Sequence, residues 1–158
     1  EGERVFPEIV NQLVAIQDTE RMLEQAPEHW AFCLGVLSRA YMNLGSCYWR
    51  LGSEEEADKA FGTADYCVKQ FFFRAGRTGD IPPDREIAEM ASRGLAISIN
   101  MMGIIISTNR TSDMRDVFEK NKAQAVGLME QLSNETPGNL GNVNIRFLEQ
   151  IASKLFSS

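Results

Sequence analysis

The amino-acid sequence predicts an all-α fold, and three observations support that prediction. Apolar residues recur at three- and four-residue spacing through most of the chain, which is typical of amphipathic helices. No stretch alternates between apolar and polar residues with a period of two, as a half-buried strand would. Short stretches rich in glycine, proline and asparagine separate the periodic segments and indicate turns. About six helices are therefore expected in a single all-helical domain spanning residues 1–158.

Proline delimits the first two helices. Helix one is predicted over residues 7–25, because Pro7 suits the first turn of a helix. Its apolar residues Ile9, Leu13 and Ile16 recur at helical spacing. Pro27 separates it from helix two, which is predicted to continue to residue 51. Gly52 then ends helix two, since glycine adopts the left-handed cap conformation without steric cost.

Helix three is predicted over residues 53–73. Ser53 and Glu56 have the spacing of a capping box at its beginning. Residues 75–83 contain two glycines and two prolines and are predicted to form a loop. Helix four is expected over residues 83–108, helix five from about 112 to 132, and helix six over 143–156. Because the chain opens on Glu1 rather than Met, we expect a fragment of a larger protein or a processed product.

A motif of small and large residues runs through residues 38–71, across helices two and three. It reads Tyr41-x-x-Leu44-Gly45-x-x-Tyr48, Leu51-Gly52 and Ala57-x-x-x-Phe61-x-x-Ala64. This spacing resembles the helix-turn-helix repeat of the tetratricopeptide family. A fainter version extends over about 96–130, where Met102-Gly103-x-x-Ile106 is followed by Met114-x-x-x-Phe118. A non-repeat helical bundle that contains one such hairpin is the structural alternative.

The resemblance implies helical hairpins stacked as an α-α superhelix or a compact bundle, with a concave groove that binds a peptide or an amphipathic helix of another protein. The groove residues that it implies are Arg39, Met42, Asn43, Ser46, Trp49 and Arg50 of helix two, and Ile97, Met101 and Ile104 of helix four. Chaperone-docking members of the family bind a carboxylate with basic residues at the positions of Ile97 and Met101. An apolar ligand is therefore expected here. The alternative is that Met101 and Ile104 pack against helix six.

A second contact surface is expected at the end of helix three. Phe71, Phe72 and Phe73 are consecutive and cannot all face one side of a helix, so at least one of them meets solvent or a partner. Arg74 follows them directly and extends this candidate surface.

Composition and charge exclude several classes of function. The net charge of -6 argues against nucleic-acid binding, which rewards a basic surface. No apolar run is long enough to span a bilayer, so membrane insertion is not expected. Cys33, Cys47 and Cys67 show no zinc or disulfide spacing and the chain has a single histidine, His29, so no metal or other cofactor is expected. A reducing, cytoplasmic location is the expectation that follows.

The sequence therefore predicts a non-catalytic interaction module, such as an adaptor, a scaffold or a co-chaperone-like protein. No catalytic residue is expected, because with a single histidine a nucleophile–base relay would need unusual partners, and no glycine-rich phosphate loop occurs. The alternative is a structural domain that forms a homodimer or higher homo-oligomer through the apolar faces of helices four and six.

Overall fold

The computed structural model describes residues 2–78, 82–107 and 116, and the two longer ranges are helical almost throughout. Four α-helices follow one another in these ranges: α1 (Gly2–Gln25), α2 (Trp30–Arg50), α3 (Glu54–Thr78) and α4 (Asp84–Ser107). A 3₁₀ turn, Pro27–His29, precedes α2. No strand occurs in the described ranges, so the predicted all-α class is confirmed for this part of the chain. The predicted helices five and six lie outside the described residues.

The helices pack in chain order around α2. Helix α2 lies against α1, α3 and α4, and α3 lies against α4. Among the described residues, α1 packs only against α2 and the 3₁₀ turn. The beginning of α2 contacts the first half of α4 through Gly35 and Arg93, and Trp49 near the end of α2 packs with Ile104 near the end of α4, so α2 and α4 run the same way.

The main core lies between these four helices. Its buried side chains include Val5 and Ile9 of α1, Leu34, Leu37 and Leu44 of α2, Cys67, Val68 and Phe71 of α3, and Ile87, Met90 and Ile97 of α4. A second, smaller cluster contains Ala57, Phe61 and Ile104, with Met42, Trp49 and Met101 packed against it. The first cluster joins all four helices, and the second joins α3 to α4 and reaches α2 through Met42 and Trp49.

The turn between α2 and α3 confirms the sequence prediction. Gly52 has a φ of 78° and lies between the two helices. The N–H of Ser53 donates to the carbonyl of Tyr48, and the N–H of Ala57 donates to the carbonyl of Ser53. Helix α3 therefore begins at Glu54, as the position of Ser53 predicts.

Two predicted helix ends are wrong. Helix α1 begins at Gly2, so Pro7 lies inside it. A proline near the start of a helix removes only one backbone hydrogen bond, and the added turn buries Val5. Helix α3 continues to Thr78 instead of ending near residue 73. The guanidinium of Arg77 lies 5.0 Å from the ring of Phe73, one turn earlier, and this contact stabilises the added turn.

Candidate functional site

A cleft of about 170 Å³ lies between the N-terminal halves of α2 and α4, with α3 beneath it. Its lining residues are Ala31, Phe32, Gly35, Val36 and Arg39 of α2, Phe71 of α3, and Glu86, Glu89, Met90 and Arg93 of α4. The lining combines apolar and charged side chains. Such a concave surface is suited to an apolar group of a ligand with polar groups around it.

The floor of the cleft is apolar and fixed by packing. Phe71 and Met90 are almost fully buried there. The ring of Phe71 lies 5.7 Å from that of Trp30 and 5.3 Å, edge to face, from that of Phe72. Aromatic pairs in these geometries stabilise each other beyond the area that they bury. The floor is therefore a rigid surface.

An aromatic side chain at the mouth of the cleft is exposed. Phe32 is 57% exposed, and Val36, one turn further along α2, is half-buried. Exposed aromatic side chains beside a cleft are frequent anchors in protein interfaces. Phe32 and Val36 therefore extend the apolar floor outward, where a ligand can contact them.

Arg93 joins the two helices that form the walls. Its Nη1 donates to the carbonyl oxygen of Gly35 at 2.8 Å and to the hydroxyl of Ser38 at 3.0 Å. Burial lowers the pKa of Arg93, the nearby charge of Arg39 lowers it further, and the carboxylate of Glu89 opposes both effects. The guanidinium is held at one nitrogen, and the side chain lines the cleft.

The charges of the cleft change from acidic to basic along α4. Glu86 and Glu89 lie toward the beginning of α4, and Arg93 lies toward its middle beside Arg39 of α2. The carboxylate of Glu89 also pairs with Arg85 at 3.4 Å on the surface of α4. The cleft therefore has an acidic end at Glu86 and a basic end at Arg93 and Arg39, with Glu89 and apolar residues between them.

The residues predicted to line a groove on α2 have different surroundings. Arg39 is exposed and lines the cleft. Met42 and Trp49 are half-buried against the cluster of Phe61 and Ile104. Asn43 and Ser46 are half-buried, and the Ser46 hydroxyl donates to the carbonyl of Met42 at 3.2 Å. Arg50 lies away from the cleft, because its Nη2 donates to Glu8 of α1 at 2.6 Å.

The predicted groove residues of α4 are mostly in the core. Ile97 is 0% exposed and Ile104 is 2% exposed, so neither lines an open surface. Met101 is half-buried and packs against both core clusters. The prediction that Ile97 and Ile104 line a groove is wrong. The reason is that α4 turns this apolar stripe toward α2 and α3, where it completes the core.

The predicted surface at the end of α3 is reduced to one aromatic side chain. Phe71 and Phe72 are buried in the core, whereas Phe73 is 55% exposed. Arg74 beside them is half-buried. The expectation that three consecutive phenylalanines cannot share one face is therefore confirmed, with Phe73 as the exposed one.

The cleft includes residues that the sequence analysis missed. Phe32 and Val36 precede Arg39 at helical spacing, so the stripe that predicted the groove on α2 extends two further turns back. That extension was a signal available in the sequence. Arg93 gave no such signal, since only the packing of α4 on α2 places its guanidinium beside Gly35 and Ser38.

Helix α1 exposes an apolar face beside its buried stripe. Phe6, Val10, Leu13 and Val14 are each about half exposed and recur at helical spacing. Of the apolar residues that recur along helix one, Leu13 belongs to this exposed face, whereas Ile9 and Ile16 are buried. We call these four residues the α1 outer face.

Candidate catalytic groups are dispersed. Within the described residues, no group of three or more His, Cys, Asp or Glu side chains is placed to hold a metal ion. His29 is exposed, and Cys33, Cys47 and Cys67 are unpaired and buried. Burial raises the pKa of the Cys67 thiol to about 11, and the charge of Glu20 adds to the effect. A reactive thiolate needs a lowered pKa, so Cys67 has the properties of a core residue.

Comparison with protein-family models, with curated proteins and with solved structures finds no match to this chain. None of the helices in residues 2–78 and 82–107 combines the length and the apolar character needed to cross a membrane. The functional assignment therefore rests on the residues and contacts described above.

Proposed function

We propose that this chain is a non-catalytic protein-interaction module that binds a peptide or an amphipathic helix of a partner in the cleft between α2 and α4. The observation that supports it is the exposed ring of Phe32 beside the buried floor of Phe71 and Met90. A partner side chain that enters the cleft removes the Phe32 ring from water at little entropic cost, because the floor is already ordered. The module acts as an adaptor or scaffold.

We further propose that α2 and α3 form a tetratricopeptide-like hairpin, with the remaining helices stacked on it as a superhelix or bundle. The contact between Gly45 and Phe61 supports this proposal, because an added Cβ at Gly45 would come within 2.9 Å of the Phe61 ring. The motif requires a small residue facing a large one at this place. The unpaired thiols of Cys33, Cys47 and Cys67 suit the reducing cytoplasm.

Substitution of Phe32 tests the proposed binding site. Phe32→Ala is expected to weaken partner binding by more than about 1 kcal/mol and to leave the melting temperature almost unchanged, because the ring is 57% exposed. The assay is a pull-down from lysate read by mass spectrometry, followed by titration of the captured partner against purified wild type and variant.

Phe73→Ala is the matched control, since Phe73 is an equally exposed aromatic residue, at 55%, and does not line the cleft. Equal loss of the partner in both variants, or retention in both, would contradict the cleft as the binding site. A loss confined to Phe73→Ala would move the binding site to the end of α3.

Self-association is the second candidate function, and the α1 outer face favours it. Exposed apolar residues in one continuous stripe mark interaction surfaces in soluble proteins. Under this alternative, light scattering after size exclusion gives a dimer for the wild type and a monomer for the double variant Val10→Glu with Val14→Glu. Tyr66→Glu, on α3 and 61% exposed, is the control and should remain dimeric. A monomeric wild type would reject this alternative.

A further inference from the structure

The charges of the cleft restrict the kind of partner that it can hold, and this inference rests on the proposed function. The two walls of the cleft, α2 and α4, run in the same direction. Distances along the cleft are therefore given as residue spacings on α4. Glu86 and Arg93 are seven residues apart, which is two helical turns or about 10 Å. Glu89 and Met90 lie between them on α4, and Phe32 and Phe71 of the neighbouring helices line the same cleft.

The basic end of the cleft is suited to binding a carboxylate. Arg93 is oriented by hydrogen bonds from Nη1 to Gly35, Ser38 and the Met90 Sδ, so the guanidinium needs little further ordering to donate to a ligand. Arg39 is exposed, and its charge acts on Arg93 across the cleft. Two guanidinium groups that face one space repel each other, and an acidic group placed between them relieves that repulsion.

The acidic end favours a cation. Glu86 and Glu89 line the cleft one turn apart on α4. The charge of Glu89 is partly compensated by Arg85, whereas Glu86 is half-buried beside the apolar floor, where screening by solvent is reduced. A ligand with an acidic group at this end would be repelled.

We propose that the cleft recognises an amphipathic helix that carries a basic and an acidic side chain about two turns apart, with an apolar side chain between them. The apolar side chain contacts Phe32 and the floor, the acidic one meets Arg93 and Arg39, and the basic one meets Glu86 and Glu89. The apolar contact provides affinity, and the two charges fix the position and direction of the bound helix. A uniformly acidic helix is repelled at the acidic end of the cleft, and a uniformly basic helix is repelled at the basic end.

A set of nine synthetic peptides tests this inference. Each is an acetylated helical peptide with leucines along one face, and two positions seven residues apart, on either side of the central leucine, carry Lys, Gln or Glu in all combinations. Affinity for the full chain is measured by fluorescence anisotropy at low and at high salt. The two peptides with unlike charges are expected to bind roughly fivefold more tightly than the Gln–Gln peptide. The Lys–Lys and Glu–Glu peptides are expected to bind more weakly than the unlike pairs, and about 1 M salt should remove these differences.

Substitutions in the protein assign each preference to one end of the cleft. Arg39→Gln should reduce the preference for Glu, and Glu86→Gln should reduce the preference for Lys. Lys59→Gln is the control, because Lys59 is an exposed cation near the beginning of α3 and does not line the cleft. Phe32→Ala should weaken all nine peptides by a similar factor.

The outcomes separate this inference from the proposed function. Nine equal affinities that all fall in Phe32→Ala would overturn the charge recognition and leave the apolar cleft as a binding site. Tightest binding by a like-charged peptide would also overturn it. Absence of binding by every peptide would count against both proposals.

Discussion

Gly45 lies directly against the ring of Phe61, and this contact sets the distance between α2 and α3. A Cβ added at Gly45 would come within 2.9 Å of three carbon atoms of the ring. Phe61 is only 2% exposed, so its ring has little room to move away. The motif that places a small residue at 45 and a large one at 61 therefore has a direct steric reason.

Gly45→Ala is expected to destabilise the fold by about 1–3 kcal/mol through this overpacking. Urea unfolding followed by circular dichroism measures the loss. Gly62→Ala is the matched control, because a Cβ at Gly62 meets nothing within 4 Å and alanine favours the helix, so it should stabilise the fold slightly.

The double variant Gly45→Ala with Phe61→Leu identifies the cause. Leucine at position 61 lacks the ring carbons that the alanine methyl group at position 45 would contact. The double variant should therefore lose less free energy of unfolding than the sum of the two single losses. Strict additivity, or a neutral Gly45→Ala, would contradict the steric explanation of the motif.

Single residues that occupy turns and close contacts were predictable from the sequence, and those that depend on packing between distant helices were not. Gly52, Gly45 and Phe61 have the roles that their types and spacing indicate. The prediction for Ile97 is wrong because an apolar stripe has the same period in a core as in a groove. Arg93 was missed because its partners are 58 and 55 residues away in sequence.

Helices α1 and α2 are joined by a small polar cluster. The carboxylate of Glu8 accepts from Arg50 at 2.6 Å and from the Cys47 thiol at 3.3 Å. The hydrogen bond from Arg50 lowers the pKa of Glu8 most, followed by that from Cys47. Among the described residues, α1 packs only against α2 and the 3₁₀ turn, so this cluster helps to fix its position.

The lowered pKa of Glu8 predicts how the attachment of α1 depends on pH. The unfolded carboxyl titrates near 4.5, and the folded one titrates below that value. The stabilisation is therefore present above pH 4.5 and is lost as pH falls through the folded pKa. We expect Glu8→Gln to lower the melting temperature at about pH 7 and to have less effect near pH 3.

Glu24→Gln is the control for the pH prediction, because Glu24 is an exposed carboxylate of the same helix. At each of the two pH values, the melting temperature of Glu24→Gln should be nearly equal to that of wild type. An effect of Glu8→Gln that is equal at neutral and at acidic pH would show that the charge of Glu8 does not attach α1.

The ends of helices were less predictable than their existence. Pro7 and Gly76 indicate boundaries, yet α1 and α3 extend past them. In both cases a packing contact outweighs a weak local preference: Val5 is buried at the start of α1, and Arg77 lies over the ring of Phe73 at the end of α3. Helix α1 also carries two apolar stripes, and periodicity alone does not tell which of them faces α2.

The central position of α2 indicates that the described part of the chain unfolds as one unit. Cys33 and Cys47 lie near the two ends of α2, and Cys67 lies in α3. All three thiols are buried, and burial is the main cause that raises the pKa of each. Alkylation requires an exposed thiolate, so each thiol reports when its surroundings open.

We expect the three cysteines to become alkylated at the same urea concentration, which should coincide with the loss of helical circular dichroism. The reason is that α1, α3 and α4 all pack on α2. When one of these helices separates from α2, residues that the remaining contacts bury are exposed as well. Labelling with iodoacetamide, read by mass spectrometry of tryptic peptides, measures each site separately. Lys59→Cys provides the reaction rate of an exposed thiol, because Lys59 is 76% exposed. Alkylation of Cys67 well before Cys47 would show instead that α3 separates while α1 and α2 remain paired, as expected of a repeat array whose neighbouring units are weakly coupled.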